Sequence, residues 1–206
     1  MKNMAGRGSR KGFLSMYTVR DIVLMGALIA VSGVFKGFWG IGRAQLEALV
    51  GPLIGPVFST GFYMWGLLSA VLIGKIGVGT IVMVPGTLIE LAIGNPFGAM
   101  VFVYNFIEGL AADVGAIVFR YRLNKFAKTF IASIIMLLFG ETIYLAWLGV
   151  LVLPTQQFPG SPAYLLYIWY YTLTIIGGII TGIVVWGISK LLSSVGFKGS
   201  ELTVES

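Results

Sequence analysis

Apolar runs long enough to cross a bilayer fill most of this chain, and no other feature restricts its fold as much. A membrane-spanning helix needs about 20 mostly apolar residues. Six such runs are legible: about Arg20–Phe38, Val57–Gly74, Val78–Gly94, Phe97–Phe119, Thr129–Leu153 and Ala163–Leu192. The stretch Trp39–Pro56 between the first two is less regular and carries Arg43, Gln45, Glu47, Gly51, Pro52, Gly55 and Pro56. Residues 44–56 within it read as a lid, a short helix or a re-entrant segment. Residues 154–162, rich in Pro, Gly and Ser, form a clear break. Composition agrees, with 57% hydrophobic and only 11% charged residues against about 25% charged in soluble domains. The expected fold is all-α: one integral membrane bundle of six transmembrane helices over residues 20–192. A basic segment (1–19) precedes it and a tail (193–206) follows.

The net charge of +6 is a matter of topology, not of nucleic acid. With both termini cytoplasmic, the inner segments hold Lys2, Arg7, Arg10, Lys11, Arg20, Lys75, Arg120, Arg122, Lys125, Lys128, Lys190 and Lys198, which is 12 of the 14 basic residues. Only Lys36 and Arg43 fall on the other side, as the positive-inside rule requires. The first apolar run is longer than a signal-peptide core and lacks a small-x-small cleavage site.

The residues also exclude chemistry. Cys is absent, as is His, so disulfides, zinc–thiolate sites, a Cys nucleophile, a His base and haem–His ligation are closed. No cofactor or metal is expected. Gly-x-x-x-x-Gly-Lys-Ser/Thr does not occur, so uphill transport would need an ion gradient or a partner ATPase. Gly-x-Ser-x-Gly is missing too, and the chain reads as no enzyme.

Acids inside apolar helices cost roughly 2.5–3.5 kcal/mol on insertion scales, and four occur: Glu90, Glu108, Asp113 and Glu141. At about 1.5 Å per residue, Glu108 and Glu141 lie at nearly one depth, near the midplane. Glu90 is shallower, on the outer side, and Asp113 is deeper. Asp113 reads as a buried carboxyl bonded to a neighbouring helix. The other three open from one side, and a ligand or ion role weighs evenly against simple burial. Lys36 is the one basic candidate partner within the spans, so these acids are either neutral or visited by something positive.

Aromatics gather at the same outer level: Trp39, Tyr144, Trp147, Tyr164, Tyr167, Trp169, Tyr170 and Tyr171. An interfacial belt accounts for some of them. Tyr164, Tyr167 and Tyr171 share one helical face, which continues to Gly178 and Gly182 and so predicts a face turned into the bundle. Carboxylates beside aromatic rings suit a flat organic cation. In the first helix Gly26, Ala30, Gly33 and Gly37 form a strip of small residues, fit for packing within the bundle or for docking another protein.

The chain resembles the substrate-binding S component of an energy-coupling factor (ECF) vitamin transporter, most closely the thiamine/hydroxymethylpyrimidine-specific branch. The resemblance rests on Leu88-Ile-Glu90-Leu-Ala-Ile-Gly94-Asn95-Pro96-Phe-Gly98-Ala-Met100-Val101, then Glu108-Gly109-Leu110, Asp113 and Gly51-Pro52. It implies a multi-pass protein of a prokaryotic plasma membrane that captures a vitamin from outside, in a pocket capped by the loop after helix 1. It further implies a membrane coupling (T) protein and two cytoplasmic ATPases as partners, with inward release when the subunit topples. Docking would use Gly26 and Ala30, where Gly26 replaces the first Ala of the family's usual Ala-x-x-x-Ala.

A thiamine-like ligand would pair its thiazolium with Glu90 or Glu108 and set its pyrimidine against Asn95, Asn105 or Glu141. Its rings would lie on Trp39, Tyr144, Trp147, Tyr164, Tyr167 or Tyr171. Two alternatives remain open: an ion-coupled carrier or channel using Glu108 and Glu141, and an S component for another flat vitamin such as riboflavin.

Overall fold

The computed structural model describes residues 16–51, 54–149 and 163–195, and the regular structure within them is all helical. The helices are α1 (Val19–Val50), α2 (Gly55–Ile73), α3 (Val78–Ile93), α4 (Val101–Ile117), α5 (Phe126–Gly149) and α6 (Ala163–Ser194), with a 3₁₀ turn at Gly98–Met100. Five are long and apolar enough to cross a membrane, while α3 has 16 residues. The expected break at 154–162, most of the basic N-terminal segment and most of the tail lie outside the described residues.

The sequence reading fails most in α1. Helix 1 does not stop near Phe38 but runs unbroken for 32 residues to Val50, about 48 Å at 1.5 Å per residue. Neither a lid nor a re-entrant piece forms over 44–50. Nothing between Trp39 and Val50 breaks a helix: Gly40 and Gly42 lower propensity by only about 1 kcal/mol each, and the first proline is Pro52. Gly51, at φ +90, ends the helix. Its start is fixed by a capping box: the Asp21 amide donates to Thr18 Oγ1 at 3.2 Å and the Thr18 amide to Asp21 Oδ2 at 2.8 Å.

Helix α2 is the axis of the bundle. All of it is buried except Val57 and Phe58, which are half-buried. Around it, α1, α3, α4, α5 and α6 form an arc in that order, each packed on the next. Glycines set the closest approaches. A Cβ on Gly33 would stand 2.7 Å from the Gly86 carbonyl of α3, and one on Gly109 of α4 would stand 2.6 Å from Thr80 Cα. Gly178 and Gly182 bring α6 onto Ile134 and Phe130 of α5, as the small face on α6 predicts. The Gly26–Gly37 strip divides instead. Gly33 and Gly37 pack on α3, whereas Gly26 and Ala30 stay exposed and Gly26 has nothing within 4 Å.

The far end of α3 shows what Asp113 does. Its Oδ1 accepts from the Gly79 amide at 2.9 Å, and its Oδ2 from the Thr80 amide and hydroxyl at 3.0 and 2.7 Å. A side chain of α4 thus caps the orphan amides of α3, whose own N-cap, Gly77, has no side chain to do so. The Tyr121 hydroxyl also donates to Asp113 Oδ1, at 3.1 Å. At the same end Lys75 pairs with Asp21 at 2.5 Å, and the Tyr17 hydroxyl donates to the Ile76 carbonyl at 2.6 Å. Burial, with Asp113 and Asp21 nearby, pushes the Tyr17 phenol up to about 12, which keeps it a neutral donor.

Two glycine substitutions separate packing from propensity. Gly109→Ala must push against the α3 backbone and is expected to cost about 1–3 kcal/mol. Gly26→Ala fills open space and should gain about 0.5–1 kcal/mol. Denaturant titrations of the detergent-solubilised protein would show the two changes with opposite sign.

Candidate functional site

Where α1, α3 and α5 finish and α2 and α4 begin, the bundle holds a chamber. It is narrow, with a free space of about 540 Å³ when its mouth is included. Helix α2 contributes Ser59, Phe62 and Tyr63, and α4 contributes Tyr104, Asn105 and Glu108. Glu90 comes from α3, Glu141 and Tyr144 from α5, and Arg43 from α1. The three acids assigned to one bilayer half therefore surround one space.

Their electrostatics differ from the sequence reading. Lys36, fully buried on α1, reaches Glu108 Oε2 at 2.8 Å and Glu90 Oε2 at 3.7 Å. A positive partner of these two acids is therefore part of the protein, and its one charge is shared between them. Glu90 is held further: Asn95 Nδ2 donates to its Oε1 at 2.6 Å and Asn105 Nδ2 to its Oε2 at 2.8 Å. Glu141 has a different partner, accepting a hydrogen bond from the Tyr170 hydroxyl.

The turn between α3 and α4 explains Gly94-Asn95-Pro96. Gly94 takes φ +92, which a side chain would resist, and returns its amide to the last turn of α3. Asn95 Oδ1 then accepts from the Phe97 amide at 2.9 Å, which aims the other end of the amide at Glu90. Gly40 of α1 leaves room for it, since a Cβ there would lie 2.5 Å from Asn95 Nδ2. Asn95 is thus a positioning residue behind Glu90 and does not line the chamber. Asn105 does line it, and its buried Oδ1 has no hydrogen-bond partner.

Arg43 roofs the space. It pairs with Glu47 one turn on, at 2.6 Å, and its guanidinium lies 5.7 Å from the ring centres of both Phe62 and Phe97. Gly55 makes the fit possible, because a Cβ there would meet Arg43 and Glu47 at 2.9 and 3.0 Å. The cap expected from a loop after helix 1 is therefore the upper part of α1 itself. Lys36, Gly40, Arg43 and Glu47 follow i, i+4, i+7, i+11 spacing, one helical face. That signal was in the sequence and is hidden only by ending the helix too early.

The aromatic expectations divide. Tyr144 lines the chamber, and Trp147 stands behind it, edge-on to Tyr104 at 6.1 Å. Trp39 does not line it: its indole donates to the Phe58 carbonyl at 2.8 Å and its ring stacks on Phe35. Of the stripe on α6, Tyr167 and Tyr171 do not line the chamber. Tyr167 is exposed, Tyr171 meets the exposed Thr142 hydroxyl, and the side chain of Tyr164 lies outside the described residues. The face that turns inward is Tyr170, Thr174, Gly177, Thr181 and Val185. Phe62, Tyr63 and Tyr104 complete the aromatic wall and were not singled out from sequence, because single aromatics in apolar runs read as core.

The family described as the permease component of the ABC-type cobalt transport system matches residues 20–139. The chain belongs to that family. It is a family of membrane transporters and not of enzymes, which accords with the helices and with the chemistry that the sequence excludes. Among solved structures, the crystal structure of an S-component of ECF transporter is similar over 87% of each chain, with a TM-score of 0.73 and 22% identity. The two share a fold. No curated protein matches the chain. In this permease component no group of three or more His, Cys, Asp or Glu placed to hold a metal ion occurs among the described residues. Where Glu90 and Glu108 converge, the cation is the Lys36 ammonium.

Breaking that buried pair should be costly. Lys36→Met leaves two carboxylates with no cation and is expected to lower stability by about 3–5 kcal/mol. Adding Glu108→Gln to Lys36→Met should restore part of the loss, measured as the denaturation midpoint in detergent.

Proposed function

We propose that this permease component is the substrate-capture (S) subunit of an ECF-type importer and that it binds a small, flat, nitrogen-containing organic molecule of the thiamine or hydroxymethylpyrimidine kind. The observation that carries the reading is the chamber: buried carboxylates on one side, a buried Asn105 oxygen with no partner, and walls of Phe62, Tyr63, Tyr104 and Tyr144. A buried acceptor left unpaired costs about 1–3 kcal/mol, and a ligand N–H removes that cost. The S-component fold and the family match support the transport role.

The positive-inside distribution supports a topology with both termini in the cytoplasm and the chamber toward the outside. The subunit would then work with a membrane coupling protein and two cytoplasmic ATPases in a prokaryotic plasma membrane. Gly26 and Ala30, both exposed on α1 and the former with open space before it, are the proposed docking patch. Ligand release follows when the docked subunit topples. An ion-coupled carrier using Glu108 and Glu141 is less well supported, since Lys36 already holds Glu108 at 2.8 Å.

The family's description favours a second reading, in which the cargo is a cobalt ion. Divalent first-row metals take imidazole, carboxylate or thiolate ligands, and here a lysine stands between the two acids that would serve. Calorimetry on the purified protein separates the two. Thiamine or hydroxymethylpyrimidine is expected to bind tightly and to be retained through purification in native mass spectra, while Co²⁺ gives no saturable heat. Tight Co²⁺ binding with no organic ligand would reverse the assignment, and retained flavin would move it to another vitamin.

A further inference from the structure

We infer that the chamber is divided by charge, with Glu141 as the counter-ion for a cationic ring and the Asn105–Glu90 wall as the reader of a neutral N–H head. This rests on the capture function proposed above and alters how its ligand would lie.

The inference comes from pairing each charge with its partner. Lys36 is committed to Glu108 at 2.8 Å and leans on Glu90 at 3.7 Å, and two amide groups complete Glu90. Arg43 is committed to Glu47 at 2.6 Å. Glu141 remains: it is 3% exposed, lines the chamber and forms no ion pair among the described residues. Its hydrogen-bonding neighbours, Tyr170 and Ser59, are neutral hydroxyls, and Arg43 acts on it only from beyond ion-pair distance. A buried carboxylate with no cation in contact is expensive, and Arg43 is paired with Glu47, so a cation entering the chamber is drawn to Glu141 rather than to the two acids that share Lys36.

The surroundings suit a ring that carries the charge. Tyr144 lies one turn along α5, and the Tyr63 phenol is seated against Gly140, where a Cβ would come within 2.5 Å of Tyr63 Cε1. A flat cation beside Glu141 therefore meets aromatic faces as well as the carboxylate. A second, independent feature identifies the other end of the ligand. Asn105 lines the chamber and gives its side-chain N–H to Glu90, which leaves its Oδ1 buried and unpaired. That acceptor calls for an N–H donor. The ligand class is thus a flat organic cation with a separate neutral head that bears an N–H group, and the two parts are read by different helices.

The test compares thiamine with deazathiamine, in which a neutral thiophene replaces the thiazolium ring, by calorimetry on the intact protein. The wild type is expected to prefer thiamine. Glu141→Gln should lower thiamine affinity on the order of 30-fold and leave deazathiamine within about threefold, which removes the preference. Glu141→Asp, which keeps the charge, should retain it. Glu90→Gln should weaken both ligands alike. Equal wild-type affinity for the two compounds, or an equal loss of both in Glu141→Gln, overturns the division of the chamber and leaves the capture function standing. Binding of neither compound to the wild type overturns the capture reading for this ligand class, and the inference with it.

Discussion

The buried contact between Lys36 and the carboxylates of Glu108 and Glu90 joins α1, α4 and α3 at the depth where the chamber begins. A lone acid in an apolar helix is costly. Two acids that face each other across helices would be worse, and a single ammonium between them makes the arrangement tenable. Other features follow from that contact. The turn after α3 is shaped to bring Asn95 onto Glu90, Gly40 is left small to admit it, and Asn105 completes the carboxylate from α4. With both of those acids held, the chamber's remaining polarity is Glu141, which has no cation in contact among the described residues, and the unpaired oxygen of Asn105.

The parts of this architecture that were legible in the sequence are those where burial makes a residue type expensive. Glu90, Glu108 and Glu141 stood out because an acid in an apolar run needs a reason, and the structure places all three on one chamber. Asp113 stood apart for the same cause, and its bonds to Gly79 and Thr80 are those of a buried carboxyl serving a neighbouring helix. The glycine face of α6 was legible because close approach demands it.

What escaped depended on knowing where a helix stops and how it is rotated. Gly40, Gly42 and the side chains of Arg43, Gln45 and Glu47 after Trp39 resemble a loop, yet in a helix Gly40, Arg43 and Glu47 fall on one face. Rotation is subtler. Tyr170 and Tyr171 differ by about 100° around the axis, and a tyrosine stripe cannot say which of two adjacent faces packs inward. The hydroxyls decide, since Thr174 and Thr181 are fully buried beside Tyr170 while Tyr167 is exposed. Small polar residues at helical spacing mark the inward face of such a helix better than its large aromatics do.

Helix α1 spans 32 residues and α3 only 16, and the two lie side by side. By length the longer exceeds the hydrocarbon thickness of about 30 Å and the shorter falls below it. The excess in α1 is its last turns, with Arg43, Gln45 and Glu47, which extend past the apolar run that ends near Phe38, while the shortfall of α3 is a mismatch that costs only fractions of a kcal/mol per Å. One continuous helix therefore both crosses the apolar layer and carries the roof of the chamber beyond it.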